Sequence, residues 1–132
     1  MEKVTPFLMF QDGKAEEAMN YYISFIEDSD ITSITRYGAN ESGDEGTVMQ
    51  ATFSLKGQEF MCIDSNVTHQ FTFTPSFSIF LTCDSDEEIE SLYKKLLEDG
   101  EALMPIDDYG FSKKFGWVND RFGVSWQLNL PA

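Results

Sequence analysis

Histidine is nearly absent from this 132-residue chain and cysteine is scarce: there is one His and there are two Cys. His69 has no second imidazole with which to form a metal pair. Cys62 and Cys83 lack CxxC spacing and are too few for a disulfide scaffold. Both lie in apolar, strand-like runs. They read as buried, reduced thiols of a cytoplasmic protein, with a reactive nucleophile as the alternative. Basic residues are also in short supply. Nine Lys and Arg stand against 23 Asp and Glu, for a formal net charge of −14. Such a chain repels phosphate backbones and anionic lipid, so neither nucleic acid nor a membrane is an expected partner. No apolar run approaches the length of a membrane span. The start, Met1-Glu2-Lys3-Val4, lacks the basic-then-apolar layout of a signal peptide.

Aromatic residues are plentiful by contrast. Twelve Phe and two Trp suit a packed core or an aromatic-lined pocket, and core is the simpler reading. The length fits one domain, or two half-size modules sharing a core.

Periodicity orders the chain. Val4 to Phe10 reads as a short strand with Pro6 near its start. From Lys14 to Ile26, Ala18, Tyr21, Tyr22, Phe25 and Ile26 recur at helical spacing, with Glu16 and Glu17 in the first turn. Strands follow over Ile31–Tyr37, Thr47–Leu55 and Gln58–Asp64. An acidic Gly/Asn/Ser loop spans Gly38–Gly46, and Lys56-Gly57 forms a hairpin turn. After a connector, Ser76–Cys83 is again strand-like. Ser85-Asp86-Glu87-Glu88 is a capping box that opens a helix running to about Asp99, with Gly100 as its stop. A weak strand at Glu101–Met104 and a loop at Pro105–Gly110 lead into Phe111–Asn119 and Val124–Leu130. Between these last two, Asn119 to Gly123 is turn chemistry.

The order is βαβββ twice. A shift of 71 residues lays the stripe Ile89, Leu92, Tyr93, Leu96, Leu97 over Ala18, Tyr21, Tyr22, Phe25, Ile26. It also lays Ser78-Ile79-Phe80-Leu81 over Phe7-Leu8-Met9-Phe10. An internal repeat of this size is the strongest fold signal present. The expected class is α+β: two tandem βαβββ modules forming a curved sheet, helices outside, with a concave pocket. Module one covers about 1–65, the connector 66–75 and module two about 76–132, together a single domain.

Paired βαβββ modules resemble the vicinal oxygen chelate superfamily, which includes glyoxalase I, extradiol dioxygenases and bleomycin- or fosfomycin-resistance proteins. The chain is most similar to the PhnB-like branch. The resemblance rests on Thr5-Pro6-Phe7-Leu8-Met9-Phe10 with Glu17-Ala18 and Tyr21-Tyr22, on Phe60-Met61-Cys62-Ile63-Asp64, and on Gly116-Trp117-Val118-Asn119-Asp120-Arg121-Phe122-Gly123-Val124-Ser125-Trp126. Its D-x-F-G-V-x-W segment is the most specific part. Members of the branch often carry the label demethylubiquinone 3-methyltransferase. A methyltransferase of the common nucleotide-fold type needs a Gly-rich turn opening a parallel α/β domain, and this chain has none.

The resemblance also implies where metal ligands would stand in the superfamily's metal enzymes, typically His and Glu from the first and last strands of each module. Those positions fall near Pro6 and Phe77, near Asp64, and at Gln127. A proline, a phenylalanine, one carboxylate and one amide do not make a divalent-metal site. No metal and no cofactor are therefore expected.

Five residues remain as candidates for touching a ligand. Asp64 is either a turn-capping carboxylate or a polar anchor at a pocket rim, and is the one carboxylate to nominate as a general base. Gln127 is placed to point inward, toward either a ligand or a sheet partner. Phe77 and Trp117 line a pocket or fill core. Tyr109 sits on a loop that either covers the cavity or lies plainly on the surface. The acidic run Asp84–Glu90 reads as cap and solvated helix face, and Glu41–Glu45 lacks the spacing of a calcium loop.

The expected function is binding of a small molecule without metal. The resemblance adds that the protein acts as a homodimer. The alternative is a glyoxalase-type or other lyase or transferase enzyme with an unidentified site. A third possibility is an interaction domain without a ligand, its cavity filled by side chains.

Overall fold

The computed structural model describes every residue from Met1 to Ala132. The chain divides by its contacts into two compact units, Met1–Gln70 and Phe71–Ala132.

In the first unit, β1 (Phe7–Phe10) leads to α1 (Ala15–Phe25), then β2 (Ser29–Arg36), β3 (Val48–Leu55) and β4 (Gln58–Asp64). The sheet order is β1-β4-β3-β2, with β1 parallel to β4 and the other pairs antiparallel. One helix covers one face. Toward it point Leu8, Phe10, Ala51, Phe53, Phe60 and Cys62, all buried. Lys56 and Gly57 both take positive φ, 52° and 86°, as a two-residue hairpin turn requires. The helix buries Ala15, Ala18, Met19 and Tyr22. Tyr21, expected on that stripe, is only partly buried and meets the edge of Phe25 instead.

The second unit repeats the plan: β5 (Ser78–Thr82), α2 (Asp86–Leu97), β6 (Glu101–Asp107), β7 (Lys114–Asn119) and β8 (Ser125–Leu130), ordered β5-β8-β7-β6. The Ser85 hydroxyl accepts the Glu88 N–H at 3.1 Å, as the capping pattern predicts. The Glu88 carboxylate returns to the N–H of Asp84, one residue earlier than that pattern places it.

Three expectations need correction. Strand β6 continues through Pro105 to Asp107, where a loop was expected. Its irregular register against β7 on an edge strand accommodates the missing proline N–H. Strand β7 begins at Lys114, three residues later than the apolar run suggests. Finally, α2 is not stopped by glycine freedom at Gly100. The left-handed residue is Asp99, with φ 56°. Gly100 is needed because a Cβ there would lie 2.3 Å from the Asn119 carbonyl oxygen.

Together these make an α+β protein of two four-stranded sheets, each covered by one helix and neither closed into a barrel.

Candidate functional site

The Asn119–Trp126 segment is held by one carboxylate. Asp120, 4% exposed, accepts the N–H groups of Phe122 and Val124 on Oδ1 and the Trp126 indole N–H on Oδ2. Gly123, φ 89°, lets the chain turn back so that its N–H reaches the Asp120 carbonyl. The D-x-F-G-V-x-W pattern is thus a turn closed by its own hydrogen bonds. Its Asp and Trp bond to each other, and its Gly supplies the one backbone conformation that closes the loop.

This turn sets the faces of β7 and β8. Lys114 reaches Asp86 and Glu90 of α2, and a Cβ on Gly116 would touch the ring of Tyr93. Gly116, Val118, Trp126 and Leu128 therefore face the helix, and the last three are fully buried. The opposite face carries Phe115, Trp117 and Asn119 on β7, paired with Asn129, Gln127 and Ser125 on β8. On β5 it carries Ser78 and Phe80, which pair with Ser125 and Gln127.

On that face a chain of hydrogen bonds crosses three strands. Gln127 Nε2 donates to Ser78 Oγ at 3.2 Å, Ser78 and Ser125 hydroxyls share a bond of 2.7 Å, and Trp117 Nε1 donates to Ser125 Oγ at 2.8 Å. Gln127 and Trp117 are partly buried, while Phe80 is 54% exposed. Beside them Tyr109 and Phe111 fold onto Phe115, with Phe111 and Phe115 ring centres 5.1 Å apart. Asn119 Oδ1 is buried without a hydrogen-bond partner.

Gln127 and Trp117 are therefore cross-strand neighbours, and Tyr109 packs on the same face through Phe115. Phe77, 57% exposed, immediately precedes Ser78. Sequence reasoning did not single out Ser78, Ser125 or Asn119. The period-two alternation of β8 already put Ser125 beside Gln127. The bond to Ser78 depends on β5 pairing with β8, 47 residues away, which no local pattern encodes.

Asp64 has a different place. It is 4% exposed and lies on the helix-facing side of β4, opposite buried Phe10. Its Oδ1 accepts the Ala15 N–H and its Oδ2 the Val48 N–H, each at 2.8 Å. It thereby caps α1, whose own N-cap residue Lys14 offers no capping side chain. The residue that matches Gln127 in module one is not Asp64 but Ile63. Ile63 pairs with Met9 as Gln127 pairs with Phe80.

Ile63 and Gln127 offer no anionic ligand between them, and no three His, Cys, Asp or Glu side chains converge anywhere in the structure. This donor set does not fit a divalent metal centre of the oxygen-chelate kind. The cysteines are no better placed. Burial pushes the Cys62 thiol up to about 12, aided by nearby Asp64, and burial with Glu88 and Asp84 pushes Cys83 up to about 11. Both stay protonated and unreactive at neutral pH. Two surface hollows, of about 620 and 720 Å³, lie at Ile23–Asp30 and between Glu90 and Glu98, on α2 and the residue that ends it. Neither contains a residue of the Gln127 face.

A sequence profile described as 3-demethylubiquinone-9 3-methyltransferase matches residues 2–129. The chain belongs to this family, of PhnB type. A PhnB protein from Bacillus cereus, provisionally given the same description, is 60% identical with a TM-score of 0.95, covering 98% of this chain and 99% of that one. A glyoxalase/bleomycin resistance/dioxygenase domain from Frankia shares 14% identity at a TM-score of 0.67, over 100% and 99%. The fosfomycin resistance protein FosX of Listeria monocytogenes, solved with Mn(II) and 1S,2S-dihydroxypropylphosphonic acid, shares 10% at 0.64, over 98% and 92%. These last two show the glyoxalase-like fold. No curated protein matches the chain.

The methyl transfer in the PhnB-type family's description implies a nucleotide-type methyl donor. The residues present do not fit one. The turn after β1, Gln11-Asp12-Gly13-Lys14, has a single glycine, and the first N–H of α1 is already taken by Asp64. The N-terminus of α2 is taken by Ser85, and neither sheet is a parallel α/β sheet.

Proposed function

We propose that this PhnB-type protein binds a small molecule without metal on the face of β7 and β8 opposite α2. The observation that carries this reading is the Gln127–Ser78–Ser125–Trp117 hydrogen-bond chain. It crosses a sheet face that leaves Phe80 and the Tyr109–Phe111 pair substantially in water. Aromatic walls with a few convergent polar groups are what a small-molecule site requires. Gln127, Trp117 and Tyr109 contribute directly, with Phe77 at the margin. Enzymatic turnover would need a general base on this face, and the nominated carboxylate, Asp64, is committed to two backbone N–H groups of module one.

The working unit is a homodimer of single-domain chains. Support comes from apolar side chains that one chain leaves in water, Val67 at 58% and Phe71 at 62% exposure. Sedimentation at micromolar concentration should give the dimer mass, and a monomer would reject that part.

The binding claim is tested by ligand-observed NMR with a set of uncharged aromatic fragments and protein dialysed against EDTA. At least one fragment should bind the wild type and lose binding in Gln127→Leu. Binding that appears only when zinc, manganese or iron is restored would overturn the metal-free reading.

A further inference from the structure

We propose that the ligand is a neutral, planar molecule presenting a hydrogen-bond donor beside an acceptor, an amide- or lactam-type edge. This rests on the binding reading above and adds its chemical class.

The class follows from the polar groups left over on the face. Gln127 Nε2 is engaged with Ser78, while Gln127 Oε1 has no partner in the chain. Asn119 Oδ1 is buried and also unpartnered. A buried carbonyl oxygen without a donor is costly, so Asn119 Oδ1 favours a ligand carrying N–H or O–H, and Gln127 Oε1 adds a second acceptor on the same face. The hydroxyl pair gives the complement. Ser78 Oγ accepts from Gln127 and Ser125 Oγ accepts from Trp117, and the two hydroxyls share one further bond. Whichever hydroxyl donates in that bond, the proton of the other remains unassigned. Ser125 is 1% exposed, so the cheaper arrangement has it donate inward and leaves the Ser78 O–H for the ligand. A free acceptor on Gln127 thus stands beside a free donor on Ser78.

Charge narrows the class further. The strand residues of this face on β5, β8 and β7 are Ser, Phe, Thr, Gln, Asn and Trp, with no ionisable group among them. The charges on its rim are Glu101 and Asp107 of edge strand β6, paired with Asn119 and Phe115, and both are acidic. Two nearby cations are committed elsewhere, Lys114 to Asp86 and Glu90 and Arg121 to Glu98 and Asp99, and Lys113 lies exposed just before β7. On the strands themselves an anionic ligand would lose its hydration and meet no counter-charge. Phe80, Trp117 and the Tyr109–Phe111 pair supply flat apolar surface for a planar body.

Benzamide and benzoate have the same size and differ at this edge, so they are the probes. Amide-detected NMR titration should show benzamide binding at least about tenfold more tightly than benzoate. Ser78→Ala and Asn119→Leu should each weaken benzamide several-fold while leaving toluene unchanged. Ser78 is partly exposed, so its variant should fold even if that of Asn119 does not. Equal or tighter benzoate binding would overturn the amide class and leave fragment binding at Gln127 standing. Failure of both probes, with other uncharged fragments still bound, would also overturn it. Loss of benzamide binding as protein concentration rises would assign the face to a second copy of the chain, and would overturn it too.

Discussion

Asp120 and Asp64 are the two buried carboxylates, and they accept backbone N–H groups and, for Asp120, the Trp126 indole N–H. Their roles are structural, so their substitution should be read in stability. Asp120→Asn puts an amide NH₂ against a donor and should cost about 2–3 kcal/mol by urea denaturation, with the loss centred on the β7–β8 turn. Asp64→Asn should cost about 1–3 kcal/mol by the same argument and leave fragment binding unchanged; lost binding at intact stability would return Asp64 to the site. The thiols give a pH signature. Cys62 is raised from 9.0 to about 12 and Cys83 from 9.0 to about 11, mainly by burial. Above pH 9 the unfolded chain releases protons that the folded chain keeps, so stability is full below pH 9 and falls as pH rises toward 11 and 12. A Cys62→Ala variant, unfolded in urea across pH 8 to 11, should show a shallower decline than the wild type; an identical slope would contradict the assignment.

At the scale of elements, the helices and most strands were legible because their apolar residues repeat with the right period and punctuation. Ser85 with Glu88, and Lys56-Gly57, behave as their local chemistry dictates. What was not legible arose from pairing between distant strands. Asp64 looks like a turn residue from its neighbours Ser65 and Asn66. Only the approach of Ala15 and Val48 makes it a helix cap. The counterpart of Gln127 could not be placed to the residue, because the 71-residue repeat holds for the first strand and helix but not for the last strand, where Ile63 and Gln127 are 64 positions apart. Gly100 likewise looks like a helix stop, and its reason is a carbonyl on another strand. Gly100→Ala should therefore destabilise by about 2 kcal/mol or more through overpacking, measured by thermal or urea unfolding. A neutral effect would show that the β6–β7 contact yields easily.

At the scale of the whole molecule, the same plan is used twice with different outcomes. Module one spends its last-strand carboxylate on its own helix, and Met9, Met61 and Ile63 occupy the opposite face of β1 and β4. Module two spends its buried carboxylate on a turn, and the matching face carries the polar chain of Gln127, Ser78, Ser125 and Trp117. The most specific segment of the chain is thus divided between its two faces. Asp120 and Trp126 hold the fold on one side, and Trp117 with Gln127 lies on the other, the face proposed to bind a ligand. The two tryptophans report the two sides separately, because their indole N–H groups donate to different partners, Ser125 and Asp120. A titration of the ¹⁵N-labelled, EDTA-treated protein with benzamide, following both indole signals, tests this division most directly. The Trp117 signal should move to saturation while that of Trp126 stays in place. A Trp126 signal that moves while Trp117 does not, or a Trp117 shift that requires added zinc, would contradict it.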